Sequence, residues 1–207
     1  TLKKPQKINF VNILKNFKEV LKNLNSMIYI VCLGLLLGGL LTFINICQPL
    51  YLHYFDIGSK FPLFFALIAS MLGLSSYLNS KYVWQFGAGK IALSFSLLLM
   101  IWTLITLAFQ LNYFSLNLVW FSIFIMISFS FFGFIFGNLN ALAINPFGHI
   151  AGYASSIIGS LSTLIALVVS GTSTTFFDGS PDIVIFTLST CSILTFLLLF
   201  FLRVLRS

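Results

Sequence analysis

Apolar residues run through this chain in six long stretches, 27–47, 61–80, 91–111, 117–139, 150–170 and 183–202, none of which contains Asp, Glu, Lys or Arg. Each reaches the length of about 20 residues that a helix needs to cross a bilayer. The runs are continuous, without the alternation of a barrel strand, so the pattern predicts six transmembrane helices. The breaks between them carry turn chemistry. Pro62 and Pro181 stand where a first helical turn tolerates a missing N–H, Asp178, Gly179 and Ser180 supply a turn, and 112–116 is a tight connection.

Ahead of the first span the period changes. Phe10, Leu14, Phe17, Leu21 and Leu24 recur at spacings of four and three with lysines on the flanks, one apolar stripe on a helix over 8–24. Residues 1–26 therefore read as an interfacial segment on the cytoplasmic leaflet, its lysines near anionic headgroups. A linker helix docked on protein is the alternative, since such a stripe suits either surface.

Composition places the chain in lipid. Of 207 residues 59% are hydrophobic, 25 are Phe and only 7% are charged, against about a quarter charged in soluble domains. Mean hydropathy is +1.05. The net charge of +7 does not indicate nucleic acid, because the basic residues form no face interleaved with aromatics. They act as topology signals instead. Lys3, Lys4, Lys7, Lys15, Lys18, Lys22, Lys81, Lys90, Arg203 and Arg206 fall on one side of six crossings, and only Lys60 on the other. That asymmetry predicts a multi-pass membrane protein with both termini cytoplasmic. Cys32, Cys47 and Cys191 lack metal-type spacing and read as packing residues.

Small residues mark helix contacts. The fifth span carries Gly152, Ser156 and Gly159, and the second carries Ala66, Ser70 and Gly73 at the same spacing. Both sets are expected to pack helices closely, which makes the fifth span interior, while the third and sixth spans are bulky and lipid-facing. The shared spacing also suits a three-plus-three inverted repeat. Polar groups at membrane depth are few: Asn45 and Gln48 near the outer end of the first span, Asn138 and Asn140 near the inner end of the fourth. They are candidates for a substrate cavity with Phe43, Phe131 and Ser155; helix capping and interhelical bonding is the other reading of the amides. No span carries an ionisable proton relay. Paired acids, nucleophile motifs and His/Cys clusters are missing too, so the sequence suggests no enzyme, cofactor or metal.

From Gly133 the chain reads GFIFGNLNALAINPFGHIAGYASSIIGSL. This resembles the major facilitator superfamily, specifically drug/proton antiporters of the bicyclomycin and chloramphenicol resistance type. In that family the tenth helix runs through an Asn and Ala-x-Ala into a Pro-x-Gly-His loop, and Ala-Gly-x-Ala-Ser opens the eleventh. Asn138, Ala141, Ala143, Pro146, Gly148, His149, Ala151, Gly152, Ala154 and Ser155 fall on that pattern. FINICQPLYL, with Pro49, looks like the end of the seventh helix, and Asn79, Lys81 and Gly87 like the basic turn between the eighth and ninth. Asn145, Tyr153 and Ser162 depart from the family's usual acid, Thr and Gln. The resemblance implies the C-terminal half of a twelve-helix major facilitator fold. Its partners would be membrane lipid, a small amphiphilic substrate and a missing N-terminal six-helix half that holds the proton-coupling acids. A non-transporting membrane scaffold is the rival expectation.

Overall fold

The computed structural model describes residues 10–113 and 117–205, with side chains over 14–112 and 117–205. Lys3, Lys4, Lys7, Arg206 and the 114–116 part of the expected tight connection lie outside the described residues, as does the side chain of Phe10. Every regular element described is helical: α1 Phe10–Lys22, α2 Leu24–Pro49, α3 Phe61–Phe86, α4 Ala88–Tyr113, α5 Leu118–Ile144, α6 Ala151–Thr174 and α7 Asp182–Val204. The last six fall in five helical segments long and apolar enough to cross a membrane, α5 and α6 sharing the segment Leu118–Thr174. Helix α5 runs into α6 through a tight turn at Asn145–Ile150. As one straight helix those 57 residues would measure about 86 Å, nearly three hydrocarbon thicknesses, and the backbone instead breaks at Phe147, φ −113° and ψ 32°.

Local chemistry sets the ends. Asn23 and Asn117 cap α2 and α5, each side-chain oxygen accepting a backbone N–H at 3.0 Å from Ser26 and Trp120 respectively. After Pro49 the chain continues through a wide turn at Leu50–Tyr54. Gly87 alone separates α3 from α4, at φ 81°, a conformation other residues resist. Both helices thus extend beyond their apolar cores, and the segment 79–86 that resembles a loop is the last two turns of α3.

Contacts between named side chains give the direction of each helix. Ser26 at the start of α2 donates to the Ala143 carbonyl near the end of α5, while Tyr51 near the far end of α2 bonds Ser122 near the start of α5: these two are antiparallel. Asn79 meets Asn138, and Ser76 meets the Gly133 carbonyl, so α3 and α5 run parallel. Thr103 bonds Ser192, and Gln110 donates to Asp182, which makes α4 and α7 antiparallel. Gly34 lies against Ile165, and Asn45 bonds Ser170, so α2 and α6 are parallel. Helices α2, α4 and α6 therefore point one way and α3, α5 and α7 the other.

The neighbours follow a rule. Helix α2 packs chiefly on α6 and α7, α5 chiefly on α3 and α4, and two further contacts join α2 to α5 and α4 to α7. Exchanging α2, α3 and α4 for α5, α6 and α7 leaves this set of pairs unchanged, with every direction reversed. Helices α2 and α5 form the centre, and their interface is aromatic. Phe43, fully buried, lies 5.4 Å from Phe129 and 6.4 Å from Phe121 between ring centroids. Cys32, Cys47 and Cys191 are free thiols buried in this packing.

The exterior suits lipid. Leu98, Ile101, Ile105 and Phe109 on α4 and Leu194, Leu197, Phe200 and Phe201 on α7 are exposed, an apolar girdle that water would not tolerate. Trp84 and Tyr82 stand out at one end of the bundle and Trp120 at the other, where amphipathic rings favour the two membrane interfaces. Helix α1 has three sides. Val20 is fully buried and Glu19 reaches His149, while Leu14 and Leu21 remain exposed on a second side and Lys15, Lys18 and Lys22 on a third. It is docked on α2 and α6 and leaves Leu14 and Leu21 exposed.

Candidate functional site

The amides expected to line a cavity fall at two separate ends. Asn45 and Gln48 are exposed near the end of α2, and Asn45 Nδ2 donates to Ser170 Oγ at 3.0 Å. Asn138 and Asn140 lie near the end of α5. Because α2 and α5 are antiparallel, with Ser26 beside Ala143 and Tyr51 beside Ser122, these two groups are on the order of 20 Å apart along the bundle at 1.5 Å per residue. They do not converge on one point.

Asn138 serves structure. It is 2% exposed, and its Nδ2 donates to Asn79 Oδ1 at 2.8 Å and to the Phe134 carbonyl at 2.7 Å. The pair ties α3 to α5 with an amide bond inside apolar packing, where an unpaired amide is costly. Asn79 falls inside the apolar run 61–80 as well as in the stretch that resembles a basic turn; its use as a partner depends on α3 lying beside α5. Asn140 and Gln48 are exposed, and neither side chain bonds another described residue. Ser155 is exposed, with its hydroxyl turned back to the Gly152 carbonyl at 2.9 Å.

Two aromatic expectations are corrected. Phe43 lines no cavity, because the antiparallel crossing of α2 and α5 closes its ring among Tyr51, Phe121 and Phe129. Phe131 is half-buried with its ring centroid 6.0 Å from that of Phe95 on α4, on the side of α5 away from α2.

The small-residue expectation is also corrected within this chain. Ala66, Ser70 and Gly73 on α3 are exposed, as are Gly152, Ser156 and Gly159 on α6, and a Cβ added at any of the three glycines would meet nothing within 4 Å. Helix α6 is not interior. It buries only Ala154, Ile158, Ser162, Ala166 and Ser170, one ridge facing α2, whereas α7 buries ten residues. A ridge of four-residue steps presents one face, and the small stripe falls on the other. The close approach is made by glycines that composition alone hides among leucines. Gly34 and Gly38 form a Gly-x-x-x-Gly step in α2; a Cβ there would stand 2.6 Å from Ile165 Cβ and 2.7 Å from Val169 Cβ. That motif is the familiar signature of close helix contact in lipid and could have been found by spacing.

At the end of the bundle that carries Lys90 and Arg203, a cavity of about 390 Å³ opens between α2, α4, α5 and α7, lined by Tyr29, Lys90, Leu93, Leu142, Leu199 and Arg203 among others. At the same end Glu19 Oε1 accepts from His149 Nε2 at 3.0 Å, both groups partly exposed. At the opposite end the Ser180 backbone N–H, and then its hydroxyl, hold the Asp178 carboxyl below the usual carboxylate range. No group of three His, Cys, Asp or Glu able to hold a metal comes together among the described residues.

No protein-family model, curated protein or solved structure matches this chain.

Proposed function

We propose that this chain is one six-helix half of a secondary active transporter of the major facilitator type, exporting small amphiphilic molecules by alternating access in the cell inner membrane. The observation that carries the reading is the reversed pairing of α2, α3 and α4 with α5, α6 and α7, the relation that an inverted repeat produces. The resemblance of 133–161 to drug/proton antiporters supports the same reading. Both termini would be cytoplasmic, by the asymmetry of Lys and Arg.

The exposed small faces of α3 and α6 would lie toward a second, N-terminal bundle. Asn45 and Gln48 would offer amide bonds to substrate from the outer end of α2, and Asn140 and Ser155 from the cytoplasmic end. Since no span of this chain holds an acid or base, proton coupling would come from a carboxylate in the other bundle.

The test is dye movement in everted vesicles, using the protein expressed from its complete reading frame. Respiration should drive uptake of a lipophilic cation, an uncoupler should abolish it, and Asn45→Ala with Gln48→Ala should lower it severalfold. A complete reading frame without six further spans, or transport unaffected by the uncoupler, refutes the proposal.

A further inference from the structure

We infer that the cavity between α2, α4, α5 and α7 is a binding site for the headgroup of an anionic phospholipid, with one acyl chain lying along its apolar wall. The walls are Ala92, Leu93, Leu142, Leu199 and Leu202, and the mouth carries Lys90 and Arg203, both exposed. At about 390 Å³ the space is within the usual range for a small-molecule site, roughly 300–1,000 Å³.

Charge bookkeeping points to an anion. The chain has four acidic residues. Asp56, Asp178 and Asp182 belong to the opposite end of the bundle, and Glu19 is held by His149. Neither Lys90 nor Arg203 has a carboxylate partner among the described residues, so both charges converge on the cavity unneutralised. The first turn of α4 adds its N–H groups to the same wall at Gly89, where no side chain covers the backbone.

Tyr29 supplies an independent sign. Its ring is buried at 6% exposure, while its hydroxyl is accessible from the cavity and bonds no other described residue. It is free to donate to an occupant. A phosphodiester oxygen would accept from Tyr29 while its charge meets Lys90 and Arg203, a geometry that suits Arg in particular. Basic pockets between spans on the cytoplasmic side are where anionic headgroups bind. A free phosphate would leave the leucine wall uncovered, which favours the lipid as source. The inference needs only that the chain sits in a membrane, and it stands or falls apart from the transport reading.

The full chain would be placed in nanodiscs of dioleoylphosphatidylcholine with a minor fraction of dioleoylphosphatidylglycerol, and the lipid retained after extraction counted by native mass spectrometry. Phosphatidylglycerol should be enriched over its bulk fraction. Lys90→Gln with Arg203→Gln should reduce that enrichment roughly tenfold or more, at about 1 kcal/mol for each cation near the surface. Tyr29→Phe should reduce it severalfold, and Leu142→Trp should abolish it with both charges intact by filling the cavity. Millimolar glycerol phosphate should not compete; if it displaces the lipid fully, the site takes free phosphate and the proposal fails. Lys18→Gln with Lys22→Gln, on α1 at the same end, is the control. Equal loss from that pair would mean general surface attraction and would overturn the site, as would no enrichment in the unaltered chain.

Discussion

Replacing Gly34 by Ala isolates the contact that holds α6 to α2. An added Cβ would lie 2.6 Å from Ile165 Cβ, 2.7 Å from Ile165 Cγ2 and 3.0 Å from the Ser162 carbonyl. Carbon pairs prefer about 3.5–4.0 Å, so the helices must part by about 1 Å. A gap of that size forfeits a quarter to a half of the dispersion energy along the ridge, and overpacking of this kind costs about 1–3 kcal/mol. Ala also gains about 1 kcal/mol in helix propensity over Gly, which masks part of the loss. Gly159→Ala on α6 supplies the correction, because a Cβ there meets nothing within 4 Å. It should show the propensity gain alone. The difference between the two substitutions is then the contact cost, about 1–3 kcal/mol or roughly 5- to 150-fold in the unfolding constant. Reversible dodecyl sulfate titration in mixed micelles, followed by circular dichroism, measures both. Equal midpoints for Gly34→Ala and Gly159→Ala would refute the assignment of the α2–α6 interface.

The remaining predictions concern the amide pair, the topology and one carboxylate. Asn138→Leu should cost about 1–2 kcal/mol by leaving Asn79 unpaired, and adding Asn79→Leu should restore part of it; a double-mutant cycle with no coupling sinks the pair. Cysteines introduced at Lys90 and Asp178 should react with an impermeant maleimide from opposite sides of the membrane, the native thiols being buried. Labelling of both from one side excludes an odd number of crossings between α4 and the turn before α7. Asp178 is held below its ordinary range in the fold, so its contribution is present above the unfolded value and is lost as pH falls through the folded one. Ser180→Ala removes the hydroxyl's share and should raise the Asp178 titration seen by carboxyl NMR; an unmoved titration rules out that hydrogen bond.

Much of this molecule is decided before any contact is known. Six uncharged runs of about 20 residues can only be helices in lipid, because an apolar solvent leaves backbone groups no partner outside the helix itself. The asparagine caps, Pro62 and the Asp178 turn are equally local, each fixed by the hydrogen bonds and dihedral angles its own residues allow. Which face of a helix meets another is not local. The stripes at Ala66, Ser70 and Gly73 and at Gly152, Ser156 and Gly159 have the composition of an interface and lie open, whereas Gly34 and Gly38 make the close approach. Small side chains permit contact, but only the path of the neighbouring helix selects the face that is used. Phe43 and Asn138 show the same limit, since an aromatic ring or an amide can line a cavity or fill a core. The antiparallel crossing of α2 and α5 and the parallel packing of α3 on α5 put both residues in the core. The cavity at Tyr29, Lys90 and Arg203 draws on four helices, and residues so far apart along the chain share a site only because tertiary packing brings the ends of those helices together.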